Sequence, residues 1–186
     1  MSNVAKSNPD DKPLVAPRRV VTAVDANGKS RVASDGRSMA SLEIAGPGST
    51  VFFNAWQTDP ADHHPYALGS ADPAAVFTKM SQIFPGLGGT HLTISKWPAS
   101  YPPADTLPMW MHSTDTVDYI IIISGEIICY LDSGERVVLA AGDCLIQNGT
   151  EHAWRNEGST DCVMAAVATG VARTRENSTP TVERAV

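Results

Sequence analysis

Alternation of apolar and polar residues is the dominant signal in this chain. "GGTHLTISKW" (88–97) sets His91, Thr93 and Ser95 on one side and Leu92 and Ile94 on the other, which predicts a half-buried strand. After a proline-rich connection, "PASYPPADTLP", six short apolar runs follow: "VDYIIIIS", "EIICYLD", "RVVLAA", "DCLIQ", "HAWRN" and "CVMAAVA". Glycine-bearing turns ("SGE", "DSGE", "AAGD", "NGTE", "NEGS") separate them. Short strands spaced by roughly eight to twelve residues predict a sandwich or small barrel. Upstream, "VVTAV" and "SRVAS" flank an Asn-Gly hairpin signal, and "STVFFNAW" (49–56) reads as a further strand. "PAAVFTKMSQIF" (73–84) is the one helical prediction, a short helix capped by Asp72 ahead of Pro73. The expected organisation is a polar tail over 1–17, one all-β domain over 18–170 and a polar tail over 171–186.

Composition narrows the function classes. A hydrophobic share of 42% over 186 residues is enough for one core. The net charge of −6 and the absence of any Lys/Arg run argue against a nucleic-acid partner. No apolar stretch reaches the ~18 residues of a membrane-spanning helix, so no membrane span is expected. Three cysteines (Cys129, Cys144, Cys162) have neither an even count nor metal-type spacing. They are expected as buried small hydrophobes in a reducing, cytoplasmic setting.

The candidate chemistry lies in three segments. "MHSTDTVDYIIIISGE" (111–126) carries His112 and Asp118, "GDCLIQNGTEHAWRN" (142–156) carries His152 and Asn156, and the strand at 88–97 carries His91. Two histidines plus a carboxylate form a facial triad able to hold Fe(II), and Zn(II) or Mn(II) could occupy the same donors. At about 3.3 Å per residue, straight β would put His112 and Asp118 about 20 Å apart, so a shared site requires a bend, and "STDT" is suited to one. Asp118 then shares a face with Ile120 and Ile122, and a buried carboxylate needs a cation or a strong donor. The structural alternative is that each His is a satisfied core or loop residue and that Asp118 caps a turn. His63 and His64 are expected in an exposed loop.

These segments resemble the cupins. The first cupin motif, G-x5-H-x-H-x3–4-E-x6-G, is matched by His112 and by Asp118-x6-Gly125, with Asp for Glu and Thr114 at the second His position. The second, G-x5-P-x-G-x2-H-x3-N, is followed by Gly142, Gly149, His152 and Asn156, with one residue fewer between the glycines and no proline. The chain is similar still to small single-domain cupins reading "HRT-x-T-x-DY…SGE…GD…Q-x-G-T-x-H-A-W-x-N". The resemblance implies a double-stranded β-helix, or jelly-roll barrel, with short helical and loop insertions. It implies His112, Asp118 and His152 as ligands of a divalent ion, Asn156 as a supporting residue and Trp154 at the cavity wall. It also implies a small-molecule substrate, of oxygenated organic acid, aromatic or polyketide type, and a homodimer. The expected reaction is lyase, decarboxylase, dehydratase or isomerase chemistry, with His91, or Tyr119 if inward, moving the proton. An iron(II) dioxygenase and a non-enzymatic binding module are the alternatives.

Overall fold

The computed structural model describes residues 15–44, 48–62, 64–103 and 110–173. The predicted tails therefore fall largely outside the described residues, as do His63 and part of the proline-rich connection. Among the described residues, eleven strands carry the fold: β1 (Arg19–Val24), β2 (Ser30–Gly36), β3 (Ser41–Glu43), β4 (Val51–Thr58), β5 (Thr90–Trp97), β6 (Thr116–Ser124), β7 (Glu126–Leu131), β8 (Arg136–Ala140), β9 (Cys144–Gln147), β10 (His152–Arg155) and β11 (Cys162–Gly170). All pairings of these strands are antiparallel. A six-stranded sheet runs β3-β4-β5-β11-β6-β9, a three-stranded sheet runs β10-β7-β8, and β1-β2 form a separate hairpin. The chain is all-β, as its alternation predicts.

Period-two side-chain direction builds the core between the two larger sheets. On β6, Thr116, Asp118, Ile120 and Ile122 are buried, while Tyr119, Ile121 and Ile123 stand outside. Ile120 and Ile122 meet Met164 and Cys162 of β11, Ile127 and Cys129 of β7, Leu139 of β8 and Trp154 of β10 in one cluster. Strand β5 turns its polar side inward: His91, Thr93, Ser95 and Trp97 are buried, and Leu92 and Ile94 are only half-buried. One wall of the interior is thus lined by hydrogen-bonding groups.

Two expectations are corrected. Residues 73–84 do not form a helix; a single 3-10 turn spans Met80–Ile83. Ala74 and Phe77 are buried, and Met80 and Ile83 pack against the core, so a three-residue spacing lays the segment along the sheet. Tertiary burial here overrides local helix propensity. Asp72 still turns the chain, accepting the Ala74 N–H at 2.9 Å, and it also pairs with Arg19. The second correction is Cys144: Cys129 and Cys162 are buried, but Cys144 is exposed, because its place on β9 pairs it with the outward Ile121.

Candidate active site

The backbone brings the two motif histidines together. His112 and His152 exchange both N–H···O=C hydrogen bonds, each 2.9 Å, as an isolated antiparallel bridge. Directly opposed residues of such a pair point to the same face. Their imidazole centroids accordingly lie 4.4 Å apart, with 46° between the planes. The predicted bend is present: residues 113–115 leave extended pairing between this bridge and β6. Gly149 permits the approach of the two segments. Its φ is +62°, and a Cβ there would lie 2.8 Å from the Thr114 carbonyl oxygen.

Each imidazole is held in one tautomer. His112 Nδ1 donates to the Trp110 carbonyl at 2.8 Å, and His152 Nδ1 donates to the Thr150 carbonyl at 2.9 Å. A carbonyl only accepts, so Nδ1 carries the proton and Nε2 is left as a bare donor atom for an ion or a substrate proton. Burial, with a smaller push from the neighbouring His112, drives the His152 pKa down to about 4, so its ring is neutral at pH 7. Trp154 stands edge-on to His152 at 5.8 Å, and Phe84 covers His112 at 6.3 Å.

Asp118 projects inward from β6 of the six-stranded sheet and is 8% exposed. Burial holds its carboxyl above the usual carboxylate range, against a downward pull from Thr116 and then from His112. Its Oδ1 is buried without a hydrogen-bond partner. Among the described residues, no three His, Cys, Asp or Glu side chains are gathered closely enough to enclose an ion. Asp is one methylene shorter than the Glu of the motif, and Asp118 stands outside the imidazole pair. Thr114, at the second His position, spends its hydroxyl on Thr116 at 2.6 Å. The donor set nevertheless suits a cation: two bare imidazole nitrogens side by side at β10, and on β6 of the other sheet a buried carboxylate oxygen that lacks a donor.

His91 faces the interior at 1% exposure. It lies in one cross-strand row with Ala168, Asp118 and Gln147. Its Nε2 donates to Asn54 Oδ1 at 2.8 Å, Phe77 meets its ring at 6.2 Å, and its Nδ1 has no partner. Burial lowers its pKa, partly offset by the backbone of Gln82 and Ile83. Tyr119 is 49% exposed on the outer face and is removed as a proton carrier. Asn156 is fully buried and structural: it donates to the Trp97 and Thr160 carbonyls and accepts the Gly158 N–H. His64 is exposed. Among the described residues, the groove of about 510 Å³ between β1 and Trp56, Tyr66 and Leu92 lies outside the cup, away from both imidazoles.

Sequence reasoning passed over Asn54 and Gln147. Asn54 is the one polar residue inside "VFFNAW", and a β-bulge between Asn54 and Trp56 interrupts the pairing of β4 with β5 beside His91. Gln147 is 2% exposed and donates to the same Thr150 carbonyl that receives the His152 N–H. A lone amide in a buried strand was the available signal for each.

Comparison with known proteins agrees with this geometry. The family model "Cupin domain" matches residues 99–168, which takes in His112, Asp118 and His152. The chain is 32% identical over 161 residues to phomopsin biosynthesis cluster protein C' of Diaporthe leptostromiformis, covering 84% of this chain and 80% of that protein. It is 41% identical over 58 residues to oryzines biosynthesis cluster protein J of Aspergillus oryzae, covering 31% of this chain and 32% of that protein. It is also 41% identical over 46 residues to a cupin-domain-containing oxidoreductase of Hypocrea virens, covering 25% and 24%. The strand order, the paired histidines and the long match to a protein of similar length lead to one assignment: this chain belongs to the cupin family.

Proposed function

We propose that this chain is a metal-dependent small-molecule enzyme of a biosynthetic pathway, acting as a lyase, decarboxylase, dehydratase or isomerase on an oxygenated organic acid, aromatic or polyketide-type substrate. The observation that carries the reading is the imidazole pair, whose Nδ1–H groups are spent on backbone carbonyls while their centroids lie 4.4 Å apart. His112, His152 and Asp118 are the residues that would hold the ion. When bound, a divalent ion supplies Lewis-acid polarisation of a substrate oxygen. The chain's own groups do the rest. Trp154 and Phe84 flank the imidazoles with apolar surface, which strengthens electrostatic effects beside them. His91, held by Asn54 and neutral at Nε2–H, presents a bare Nδ1 as proton acceptor. The relatives named from biosynthesis clusters support a place in a biosynthetic pathway.

Elemental analysis of protein purified without a metal-affinity tag tests the proposal. Stoichiometric metal in the wild type and its loss in His152→Ala are expected; a metal-free wild type, or unchanged metal in the variant, would overturn it. The second reading, an iron(II) dioxygenase, is favoured by the relative named as an oxidoreductase. Oxygen consumption during turnover separates the two, since a lyase or isomerase consumes none. Full ligand affinity in metal-free protein without turnover would instead mean a binding module.

A further inference from the structure

The chain contains two Asn-Gly pairs, Asn27-Gly28 and Asn148-Gly149. Such a pair can cyclise on itself, because glycine lacks the Cβ that would hinder attack of its amide nitrogen on the preceding side chain. Both asparagines are exposed, and both glycines have positive φ, +72° at Gly28 and +62° at Gly149. Solvent access and backbone region therefore do not separate the two pairs, but hydrogen bonding does. In the β1–β2 hairpin the Gly28 N–H donates to the Asp25 carbonyl at 2.9 Å. Asp25 Oδ1 accepts the N–H groups of Asn27 and Lys29, each at 2.9 Å. The nitrogen that would react is tied into that turn. After β9 the chain leaves the ladder at Gln147. Among the described residues, neither the Asn148 side-chain amide nor the Gly149 N–H has a hydrogen-bond partner.

We propose that Asn148 is a site of spontaneous covalent modification, conversion to isoaspartate through a cyclic imide, placed so that the change releases His152. The Gly149 nitrogen attacks Asn148 Cγ: a new C–N bond forms, the Cγ–Nδ2 bond breaks, and ammonia leaves with the amide proton. Water then opens the ring. Opening at Cγ gives aspartate. Opening at the main-chain carbonyl gives isoaspartate, whose backbone runs through Cγ and is longer by one carbon, about 1.5 Å. Nothing is oxidised or reduced, and water is the only co-reactant. The turn that receives this carbon is tightly placed, since a Cβ on Gly149 would already lie 2.8 Å from the Thr114 carbonyl oxygen. The next residue, Thr150, supplies the carbonyl that accepts both His152 Nδ1–H and Gln147 Nε2–H, each at 2.9 Å. A longer chain just before that carbonyl displaces it. His152 then loses the acceptor that keeps its proton on Nδ1, and the proton is free to move to Nε2. The modification site stands whether or not the imidazoles hold an ion.

Incubation of the full chain at mildly alkaline pH, followed by peptide mapping that separates aspartate from isoaspartate, tests the site. Asn148 is expected to convert about tenfold faster than Asn27, the factor that about 1.4 kcal/mol of hydrogen bonding at the Gly28 turn corresponds to. In denaturing urea, where both turns are lost, the two rates are expected to converge. Asn27 converting as fast as Asn148 in folded protein overturns the proposal. So does a folded Asn148 that stays intact while the urea-unfolded chain converts. The link to His152 is read by nitrogen NMR of the imidazoles in the presence of a chelator. Aged wild type is expected to lose the Nδ1–H form of His152. Equally aged Asn148→Gln, whose longer side chain closes no such ring readily, is expected to keep it. Isoaspartate at 148 with the His152 signal unchanged would overturn the link.

Discussion

Acidification of metal-stripped protein tests the environment of His152 directly. In the unfolded chain a histidine takes up its proton near pH 6.5. In the fold, burial beside His112 delays uptake until about pH 4. The folded pKa is depressed, so the native state resists protonation that the unfolded state accepts. The stability involved is therefore fully present above about pH 6.5 and is lost as pH falls toward 4. At 1.36 kcal/mol per pKa unit the whole loss is about 3 kcal/mol, of which about 2 kcal/mol has gone by pH 5. Asp118 works the other way, since its raised pKa favours native-state protonation in acid, so the wild-type curve alone does not isolate the imidazole. His152→Gln, which keeps an amide in place of the ring and cannot titrate, supplies the reference. Urea unfolding followed by the fluorescence of the buried Trp97 and Trp154 gives both stabilities. Between pH 7 and pH 5 the wild type is expected to lose about 2 kcal/mol more than the variant. Parallel pH profiles would show that His152 is solvated and would remove the buried-pair geometry.

Three further outcomes follow from named contacts. Gly149→Ala forces a φ of +62° on a residue with a Cβ and drives that Cβ against the Thr114 carbonyl, so it is expected to cost more than about 1 kcal/mol, read as a fall of several degrees in Tm. Asn156→Ala leaves the buried Trp97 carbonyl and the Gly158 N–H without their side-chain partner; a loss of about 2–4 kcal/mol in urea unfolding is expected, and a loss under ~0.5 kcal/mol would contradict the network. A thiol titration of native protein is expected to find one fast group, Cys144, while Cys129 and Cys162, buried with pKa values pushed up to about 11, react only on unfolding.

Legibility in the sequence followed the strength of local periodicity. The strands from 90 to 170, the Asn-Gly hairpin and the inward set Asp118, Ile120 and Ile122 could be read because a strand's period is fixed by its backbone. The segment at 73–84 misled because apolar residues at three-residue spacing satisfy both a helix face and an extended coil pressed on a sheet, and only the sheet decides between them. Cys144 misled because exposure depends on register against β6, which composition does not carry. At the site, the histidine pairing was legible as motif spacing. The support given by Asn54 and Gln147 was not, since each acts through a partner distant in sequence or through a turn carbonyl.

The mutual backbone bridge of His112 and His152 has a consequence for how the site comes into being. The two residues come from opposite ends of the β6–β10 run, with four other strands between them or beside them in the ladder. Closing so long a loop is entropically expensive until the intervening strands have paired. Pairing of the strands between them shortens that loop, so the meeting of the imidazoles is coupled to assembly of β6 to β9. Any probe that responds to both rings at once reports assembly of the stretch from His112 to His152.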